Sequence, residues 1–492
     1  MSDHKIVGAD CTQARSQIAD SRFYAQNYTT EEARQIFCDV YRYQRWLEIE
    51  SCLAHSQAEL GIIPGWAAEE IGRKAHLKNL DLRSVQEGIR ETNHSLVPLL
   101  RALEQVCKNG AGEFIHYGAT TQDIQDTGQV LEIRDAMEVL ERDLRRILLR
   151  LVDLAQRYRD TVMVGRTHCQ HALPMTLGLK IAVWVDEVYR NLERLQDCKK
   201  KVLVAQLFGG VGTMAPWGEK GIDLLSMFSE KLTLKPPLVA WHVSRDRFAE
   251  FLSTLAMITG TLGKIADEIR TLAHSEIGEF EEPFHMGKLG SSTMPHKRNP
   301  EMCEQVVVLT KLVKAQAMLG FEGLIHEHER DSRVLRLEWV TIVDACLFAC
   351  GALNLMSAIL EGLVIHEDRI AAHVKRSASL ICTEALMFVL GKKLGKQTAH
   401  RILYEVSQQA YQEERPLVEI LSSHPIISRE LNRDEIQNAL EPSNYTGLSN
   451  QLTDGVLQLV KDKLPRTEKK SDKRRVCPLM NDEGVCTVSP IV

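Results

Sequence analysis

The sequence predicts an all-α protein built around a bundle of long helices. Of its 492 residues, 44% are hydrophobic and 26% charged, as in a soluble globular protein. Apolar residues recur at helical spacing with charged residues between them, for example at Leu140, Leu144, Ile147 and Leu151. Strand patterns are few, and the best of them, at 202–205, is short. Because long helices with apolar faces need partners, a helix bundle is expected.

Three helical regions and a terminal tail follow from the positions of these patterns. We expect an N-terminal helical region at 1–111, a central long-helix bundle at 112–364 and a C-terminal helical region at 365–460. The length of 492 residues also suggests more than one domain. The segment 461–492 is rich in lysine and arginine and poor in hydrophobic residues, which is typical of a disordered tail.

Each long apolar repeat of the central region predicts one helix. After the repeat around Leu140, further amphipathic stretches exceed the usual length of a globular helix, which again favours a bundle. The glycine-rich segment Phe208–Thr213 interrupts them and predicts a turn. The amphipathic stretches lie near 175–204, 246–276, 301–325 and 339–361.

Charge and cysteine content argue against several classes of protein. The net charge of −6 does not indicate a nucleic-acid partner. No apolar run is expected to span a membrane, and the first residues lack the apolar core of a signal peptide. The 12 cysteines lack metal-ligand spacing and are expected to be reduced thiols. Reduced thiols and the lack of an export signal lead us to expect a cytoplasmic protein. Neither a phosphate-binding glycine pattern nor a cluster of metal ligands occurs in the sequence, so no metal or other cofactor is expected.

The segment 290–304, GSSTMPHKRNPEMCE, is the most informative stretch of the chain. Gly287 and Gly290 permit backbone angles closed to other residues, and Pro295 and Pro300 interrupt helices. The segment is therefore a predicted loop that concentrates two serine hydroxyls, a lysine and an asparagine amide. Such a loop is suited to stabilising an anion or closing over a ligand. A solvated surface loop is the alternative interpretation.

Three segments resemble signature regions of the fumarase/aspartase superfamily of lyases. Residues 290–299 match its pattern G-S-S-x-M-P-x-K-x-N, His116–Asp123 resembles the first signature region, and Gly165–Gln170 resembles the second. The segments occur in the family's order, and the resemblance extends over roughly residues 20–460. It implies three all-α domains, a small-molecule substrate and a homotetramer whose central helices form a twenty-helix bundle. Each active site would then combine signature segments from three subunits.

The resemblance also implies an elimination that breaks a C–N or C–O bond beta to a carboxylate and releases fumarate. The difficult step removes a proton from the carbon beside that carboxylate. The site therefore needs a base, support for the new charge and an acid for the leaving group. By resemblance Ser291 is the base, acting as an alkoxide supported by backbone N–H groups and Lys297. His168 is the acid, because an imidazole exchanges protons near neutral pH.

The other candidate residues would hold the substrate. Lys297 and Asn299 are implied to bind its carboxylate. Glu304 would orient the lysine or a histidine, unless it is a solvated residue of a first helical turn. His94 is a substrate residue by the same resemblance, with a helix-surface residue as the alternative. The full implied set is His94, His116, Thr120, Thr121, Thr167, Ser292, Met294, Lys297, Asn299, Glu304 and Arg330.

Some features resemble adenylosuccinate lyases within the superfamily. A histidine at 168 favours them, because bacterial carboxymuconate cycloisomerases typically carry a tryptophan there. His94 and His116 point the same way. The segment His328–Arg330 resembles the lyase segment whose arginine helps to hold the nucleotide phosphate.

Other features resemble carboxymuconate cycloisomerases. Trp241–His242 precedes Arg245–Arg247 as it does in those enzymes, and Glu338–Trp339 is similar to them as well. The remaining phosphate anchors of adenylosuccinate lyases are missing at their usual spacing. Arg333 and Arg336 are the candidates to replace them, since a phosphate site needs cations rather than a fixed spacing.

The expected function is therefore that of an adenylosuccinate lyase, which converts adenylosuccinate to AMP and fumarate in purine biosynthesis. A lyase for another succinyl adduct is the nearest alternative, followed by a carboxymuconate cycloisomerase, which releases no fumarate. The superfamily also includes lens crystallins, so a structural tetramer is the non-enzyme alternative. It has no physical reason to keep Ser291 and His168. Nucleic-acid binding through the basic tail ranks last, because the tail lacks interleaved aromatic residues.

Overall fold

The protein is all-α, as the sequence predicts. The computed structural model describes residues 17–285, 287–288 and 290–464. Within these ranges lie eighteen α-helices and two small two-stranded sheets. Residues 465–492, which make up most of the expected basic tail, lie outside the described part of the chain, so the prediction of a disordered tail stays a prediction.

Five helices precede the first signature region. Three of them begin at side-chain caps, in which Thr30, Cys38 and Asp81 accept from backbone N–H groups of the first turn. Their apolar faces are buried in the main hydrophobic core of the protein. These helices are α1 Glu31–Ile36, α2 Asp39–Glu59, α3 Gly65–Lys74, α4 Leu82–Thr92 and α5 Val97–Val106.

Six helices form the central bundle, and five of them are long. They are α6 Thr121–Arg157, α7 Leu177–Val202, α8 Gly221–Lys231, α9 Asp246–Leu272, α10 Glu301–Glu322 and α11 Ser332–Gly362. The 37-residue α6 begins at a capping box, in which the side chains of Thr120 and Asp123 satisfy each other's backbone N–H groups. α9, α10 and α11 pack together, and α6 packs on α7 and α11. The long helices and the turn at Phe208–Thr213 are present as predicted.

A β-hairpin in the second signature region was not predicted. β1 Val162–Thr167 pairs antiparallel with β2 Gln170–Thr176, and β3 Phe280–Glu281 pairs with β4 Val364–Ile365. A register shift between Val164 and Arg166 breaks the alternation that would have marked the hairpin. The prediction of a strand at 202–205 is wrong for most of that segment. Helix α7 continues to Val202, and among these residues only Val204 forms an isolated β-bridge.

The C-terminal helices bury a second, smaller core. Residues from α12 to α17 cluster together with Val164 of the hairpin, apart from the main core. The last helix packs back onto α7, and its Leu457 and Val460 belong to the main core. It extends three residues into the segment expected to be tail. The helices are α12 Glu367–Ile381, α13 Thr383–Leu394, α14 Lys396–Gln412, α15 Leu417–Ser423, α16 Ile427–Glu430, α17 Arg433–Ala439 and α18 Ser449–Lys463.

Helix α11 contradicts the expectation that no apolar run is long enough to span a membrane. It contains an 18-residue window of mean hydropathy 1.8, so by length and composition it is apolar enough to cross a membrane. Within the described structure 78% of that window is buried, as in the core helix of a soluble protein.

A buried ion-pair network ties α6 to α9 and α11. The guanidinium of Arg245, which is 2% exposed, donates to both carboxylate oxygens of Asp126 at 2.8 and 2.9 Å. Its Nε donates to Oε1 of Glu338 at 2.8 Å. Burial alone would lower the pKa of Arg245, but Asp126 and Glu338 outweigh burial and raise it. The guanidinium therefore stays charged and neutralises two carboxylates in the core.

Replacing Arg245 with methionine is expected to destabilise the fold by about 3–5 kcal/mol, because two buried carboxylates lose their cation. Urea unfolding followed by circular dichroism measures the change. Arg247→Met is the matched control. Arg247 lies two residues away and donates to the backbone carbonyl of Lys201 at the surface, so its loss should change the free energy of unfolding by less than about 1 kcal/mol. Equal effects of the two substitutions would contradict the assigned role of the network.

Candidate active site

His168 lies at the tip of the β1–β2 hairpin. Thr167 pairs with Gln170, so the hairpin is closed by the two-residue loop His168–Cys169. Both loop residues have left-handed backbone angles, with φ of 49° and 64°, as a type I′ turn requires. Because non-glycine residues rarely adopt this conformation, the turn carries some strain. Thr167 and His168 are both exposed at the tip.

A buried ion pair anchors this hairpin. Arg166 donates to both carboxylate oxygens of Glu279, at 3.0 and 2.6 Å, and Glu279 is fully buried. His373 of α12 contacts the same carboxylate through Nδ1 at 2.7 Å. Burial would raise the pKa of Glu279, but hydrogen bonds from Arg166 and His373 lower it below its ordinary value. The carboxylate therefore stays ionised and fixes the hairpin that carries His168.

Ser291 lies inside a hydrogen-bonded turn. Its Oγ accepts from the backbone N–H groups of Thr293 and Met294, at 3.2 and 3.0 Å. Asn299 closes the base of the loop by donating from Nδ2 to the carbonyl of Gly290 at 2.5 Å. A side chain at position 290 would meet the carbonyl of Lys297 at 2.0 Å, so this close approach requires glycine.

Three signature residues of the loop are exposed. Ser292, Met294 and Lys297 lie on its surface, and the side chains of Ser292 and Lys297 have no hydrogen-bond or ion-pair partner in the described part of the chain. The expected contact between Lys297 and Ser291 is therefore absent from these residues. A lysine without a partner is free to bind an anion. The side chain of Asn299, by contrast, is already engaged in holding the loop.

Acidic residues that precede the loop hold its two ends. Arg298 forms an ion pair with Glu281 at 2.5 Å. The buried carboxylate of Glu282 accepts from the backbone N–H groups of Met302 and Cys303 at 3.2 and 2.6 Å, and so caps α10. Glu304 is an exposed residue of the first turn of α10 and contacts neither Lys297 nor a histidine among the described residues. Its placement matches the alternative interpretation of Glu304 as a solvated residue of a first helical turn.

A second group of candidate residues, the first-signature group, lies around the start of α6 and comprises His94, His116, Thr120, Thr121 and Arg330. Nε2 of His94 lies 3.5 Å from Oγ1 of Thr121. Nδ1 of His94 accepts from the backbone N–H groups of Leu96 and Val97 at 3.3 and 3.1 Å. This residue therefore lies in the connection before α5, so the interpretation as a helix-surface residue is wrong.

Arg330 joins the group from the connection between α10 and α11. Its guanidinium donates to Oγ1 of Thr120 and, at 3.4 Å, to the carbonyl of Gly210 in the glycine-rich turn. A cation and two threonine hydroxyls are thus assembled at the N-terminus of a 37-residue helix, where anions bind favourably.

His116 belongs to the same region and is paired with a carboxylate that the sequence did not identify. Its Nδ1 lies 2.7 Å from Oε1 of Glu50, and its backbone N–H donates to Oε2 at 3.1 Å. Burial would lower the pKa of His116, but the Glu50 carboxylate outweighs burial and raises it.

The residues that resemble cycloisomerases belong to the folding core. Trp241 is buried and donates from Nε1 to the carbonyl of Ala205 at 2.8 Å. His242 is buried with its Nε2 2.8 Å from Oδ1 of Asp123. Trp339 is partly buried and packs in the main core. These residues therefore stabilise the bundle, and their identity carries little information about the substrate.

One of the two candidate phosphate anchors is already neutralised. Arg333 forms ion pairs with Asp331 and Glu327, the closer of them at 2.6 Å. Arg336 is exposed, and in the described residues no ion pair or hydrogen bond engages its side chain. Among Arg330, Arg333 and Arg336, only the guanidinium of Arg336 has no hydrogen-bond or ion-pair partner in the described residues. Arg330 already contacts Thr120 of the first-signature group.

Each of the three signature segments is held by its own set of contacts. The Ser291 loop and the hairpin both adjoin β3 and β4, through Glu281 and Glu279 respectively. The first-signature group lies at the start of α6. Across the described ranges no hydrogen bond or ion pair joins Ser291, His168 and Thr121 directly.

Comparison with known proteins identifies the class. The profile of the family described as lyase matches residues 25–317, and that of the adenylosuccinate lyase C-terminus matches residues 379–456. An N-acetyl-S-(2-succino)cysteine lyase of Enterococcus italicus is 40% identical over 90% of this chain and 97% of its own. An adenylosuccinate lyase of Methanocaldococcus jannaschii is 38% identical over 89% of this chain and 95% of its own.

A solved structure agrees with these sequence relatives. The 3-carboxy-cis,cis-muconate lactonizing enzyme of Pseudomonas putida has a TM-score of 0.81, with 34% identity over 88% of this chain and 97% of its own. The fold and the matched segments define an all-α lyase. The chain belongs to the fumarase/aspartase superfamily, and it resembles adenylosuccinate lyases and carboxymuconate cycloisomerases within it.

Proposed function

We propose that the chain is a fumarate-releasing lyase that cleaves a succinyl adduct by anti β-elimination. The observation that carries this proposal is the pair of backbone N–H groups, from Thr293 and Met294, that donate to Oγ of Ser291. Donors aimed at this oxygen stabilise an alkoxide, which is the form of serine that can remove a proton from carbon. Superfamily membership supports the same chemistry.

In the proposed reaction Ser291 takes a proton from the carbon beside a substrate carboxylate. The electron pair moves onto that carboxylate, where the charge is supported by Lys297, Ser292 and other donors of the loop. The electrons then return to form the double bond of fumarate while the bond to the leaving atom breaks. His168 donates a proton to the leaving atom, and Thr167 beside it holds a carboxylate.

The remaining candidates are proposed to bind the other end of the substrate. His94, His116, Thr120, Thr121 and Arg330 form one polar region at the start of α6. Asn299 and Glu304 are better assigned to the Ser291 loop and to the first turn of α10, because the structure engages Asn299 in closing the loop. Met294 contributes through its backbone N–H.

We propose a cytoplasmic homotetramer in which each site combines segments from three subunits. Two features support it. Among the described residues no hydrogen bond or ion pair joins the three signature segments of one chain. The central helices also expose apolar side chains, which favour contact with a partner, at Met257, Val308, Met318 and Phe321. Each chain has five long central helices, so four copies would supply the twenty of the proposed core.

Two classes of substrate are candidates, and each is supported by different observations. A thioether adduct of succinate is favoured by the relative from Enterococcus italicus and by Arg333, which is neutralised and so is a weak phosphate anchor. Adenylosuccinate is favoured by His168 and by Arg330, which lies beside Thr120 as a cation for a phosphate. We place the thioether first.

A fumarate assay separates these candidates. Purified protein is supplied with N-acetyl-S-(2-succino)cysteine, adenylosuccinate, argininosuccinate or carboxymuconate, and fumarate is followed by its ultraviolet absorbance. We expect the highest kcat/KM with the thioether. Preference for adenylosuccinate would reverse the order of the two candidates. Lactone formation from carboxymuconate without fumarate release would contradict the proposal, and inactivity towards all four would favour a structural tetramer.

A further inference from the structure

We propose that Glu50 is a positioning residue that holds His116 as a fixed imidazolium, so that its second ring nitrogen is a cationic donor to an anionic group of the substrate. The role of His116 towards the substrate rests on the proposed function, whereas the pairing of Glu50 with His116 does not depend on it. Glu50 lies on α2, is 1% exposed and makes two contacts with His116, one to Nδ1 and one to the backbone N–H. In the described part of the chain it has no other ion-pair partner.

The geometry fixes the ring as well as its charge. The left-handed backbone of His116, with φ of 58°, is held by this two-point contact. The next residue, Tyr117, accepts at its carbonyl from Gln57 at 2.6 Å and from Trp217 at 3.1 Å. A side chain at Gly118 would meet Nε1 of Trp217 at 2.5 Å, so the backbone after His116 packs closely against this tryptophan. The imidazole is therefore held in place before a ligand arrives.

The surrounding charges favour the protonated ring. Two carboxylates face His116, that of Glu50 from α2 and that of Asp123 from α6, and both raise its pKa against the effect of burial. Asp123 is engaged with His242 and with backbone N–H groups, so Glu50 is the partner that contacts the ring. A buried carboxylate next to one ring nitrogen requires a proton there, and protonation of the other nitrogen adds a donor to the first-signature group.

The first test needs no substrate. Melting temperatures of the wild type and Glu50→Gln are compared from pH 5.5 to 9. A group whose pKa is raised on folding stabilises the fold fully below its unfolded pKa of about 6.5, and this stabilisation is lost as pH rises through the folded pKa. The melting temperature deficit of Glu50→Gln should therefore be largest at low pH and shrink at high pH. In the His116→Gln background the deficit should not vary with pH. A pH-independent deficit in both backgrounds would overturn the inference.

The second test uses the preferred substrate of the fumarate assay. Glu50→Gln should lower kcat/KM about ten- to hundredfold, mainly through KM, and should move the alkaline limb of its pH profile to lower pH. In the His116→Gln background the same substitution should change kcat/KM by less than about threefold, because its effect passes through the imidazole. Additive losses would overturn the inference. If no substrate is found, the melting experiment still decides the pairing, so failure of the proposed function and failure of this inference are distinguishable.

Discussion

Replacing Ser291 with alanine is expected to reduce kcat for fumarate release by about 10²–10⁴-fold, because the reaction loses its base. The fold should be unaffected, since the side chain lies in a loop outside both hydrophobic cores. Steady-state kinetics by ultraviolet absorbance measures the loss, and circular dichroism and thermal melting check the fold.

Thr293→Ala is the matched control for this substitution. Thr293 lies in the same turn, with its hydroxyl 3.5 Å from Oγ of Ser291, and its backbone N–H remains after the change. We expect kcat to stay within about threefold of the wild type. A loss below about tenfold for Ser291→Ala would remove this residue from the role of base.

The second large effect concerns His168, and it depends on the leaving atom. Asparagine tolerates the left-handed backbone of this position, so His168→Asn removes the imidazole without disturbing the turn. With an amine adduct we expect kcat to fall about 10²–10⁴-fold, because nitrogen must be protonated to depart. With a thioether the loss should be smaller, since a thiol ionises near pH 8.5 and departs as a thiolate more readily.

The control lies at the neighbouring turn residue. Cys169→Gly keeps His168 and relieves the second left-handed residue, whose φ is 64°. Its kcat should remain within about threefold of the wild type on both substrates. Equal losses for His168→Asn on amine and thioether adducts would show that the imidazole does not act on the leaving atom.

The long helices were predictable because their signal is local. Helices α6, α7, α9, α10 and α11 carry apolar repeats that a single stretch of sequence displays. The hairpin was missed because its register shift at Val164 and Arg166 disrupts the alternation of a strand. The signature segments identified the candidate base and acid, Ser291 and His168, because these residues lie within short motifs.

The supports of these groups were not predictable from one sequence. Glu279 anchors the hairpin through Arg166, 113 positions earlier, and Glu50 pairs with His116, 66 positions later. Pattern alone does not distinguish a buried carboxylate from a solvated one when its partner is so distant. The run of acidic residues Glu279, Glu281 and Glu282 before the signature loop was the available signal, and each of them has a contact that holds the loop or the hairpin.

Formation of mixed tetramers tests the central claim, that the Ser291 loop and the His168 hairpin act together from different subunits. Ser291→Ala and His168→Asn chains with different affinity tags are produced together, and hybrids are isolated by two successive purifications. If the site is shared, some sites in the hybrids contain both native residues, so the hybrids should release fumarate well above either parent. Hybrids as inactive as the parents, with intact assembly, would contradict the account.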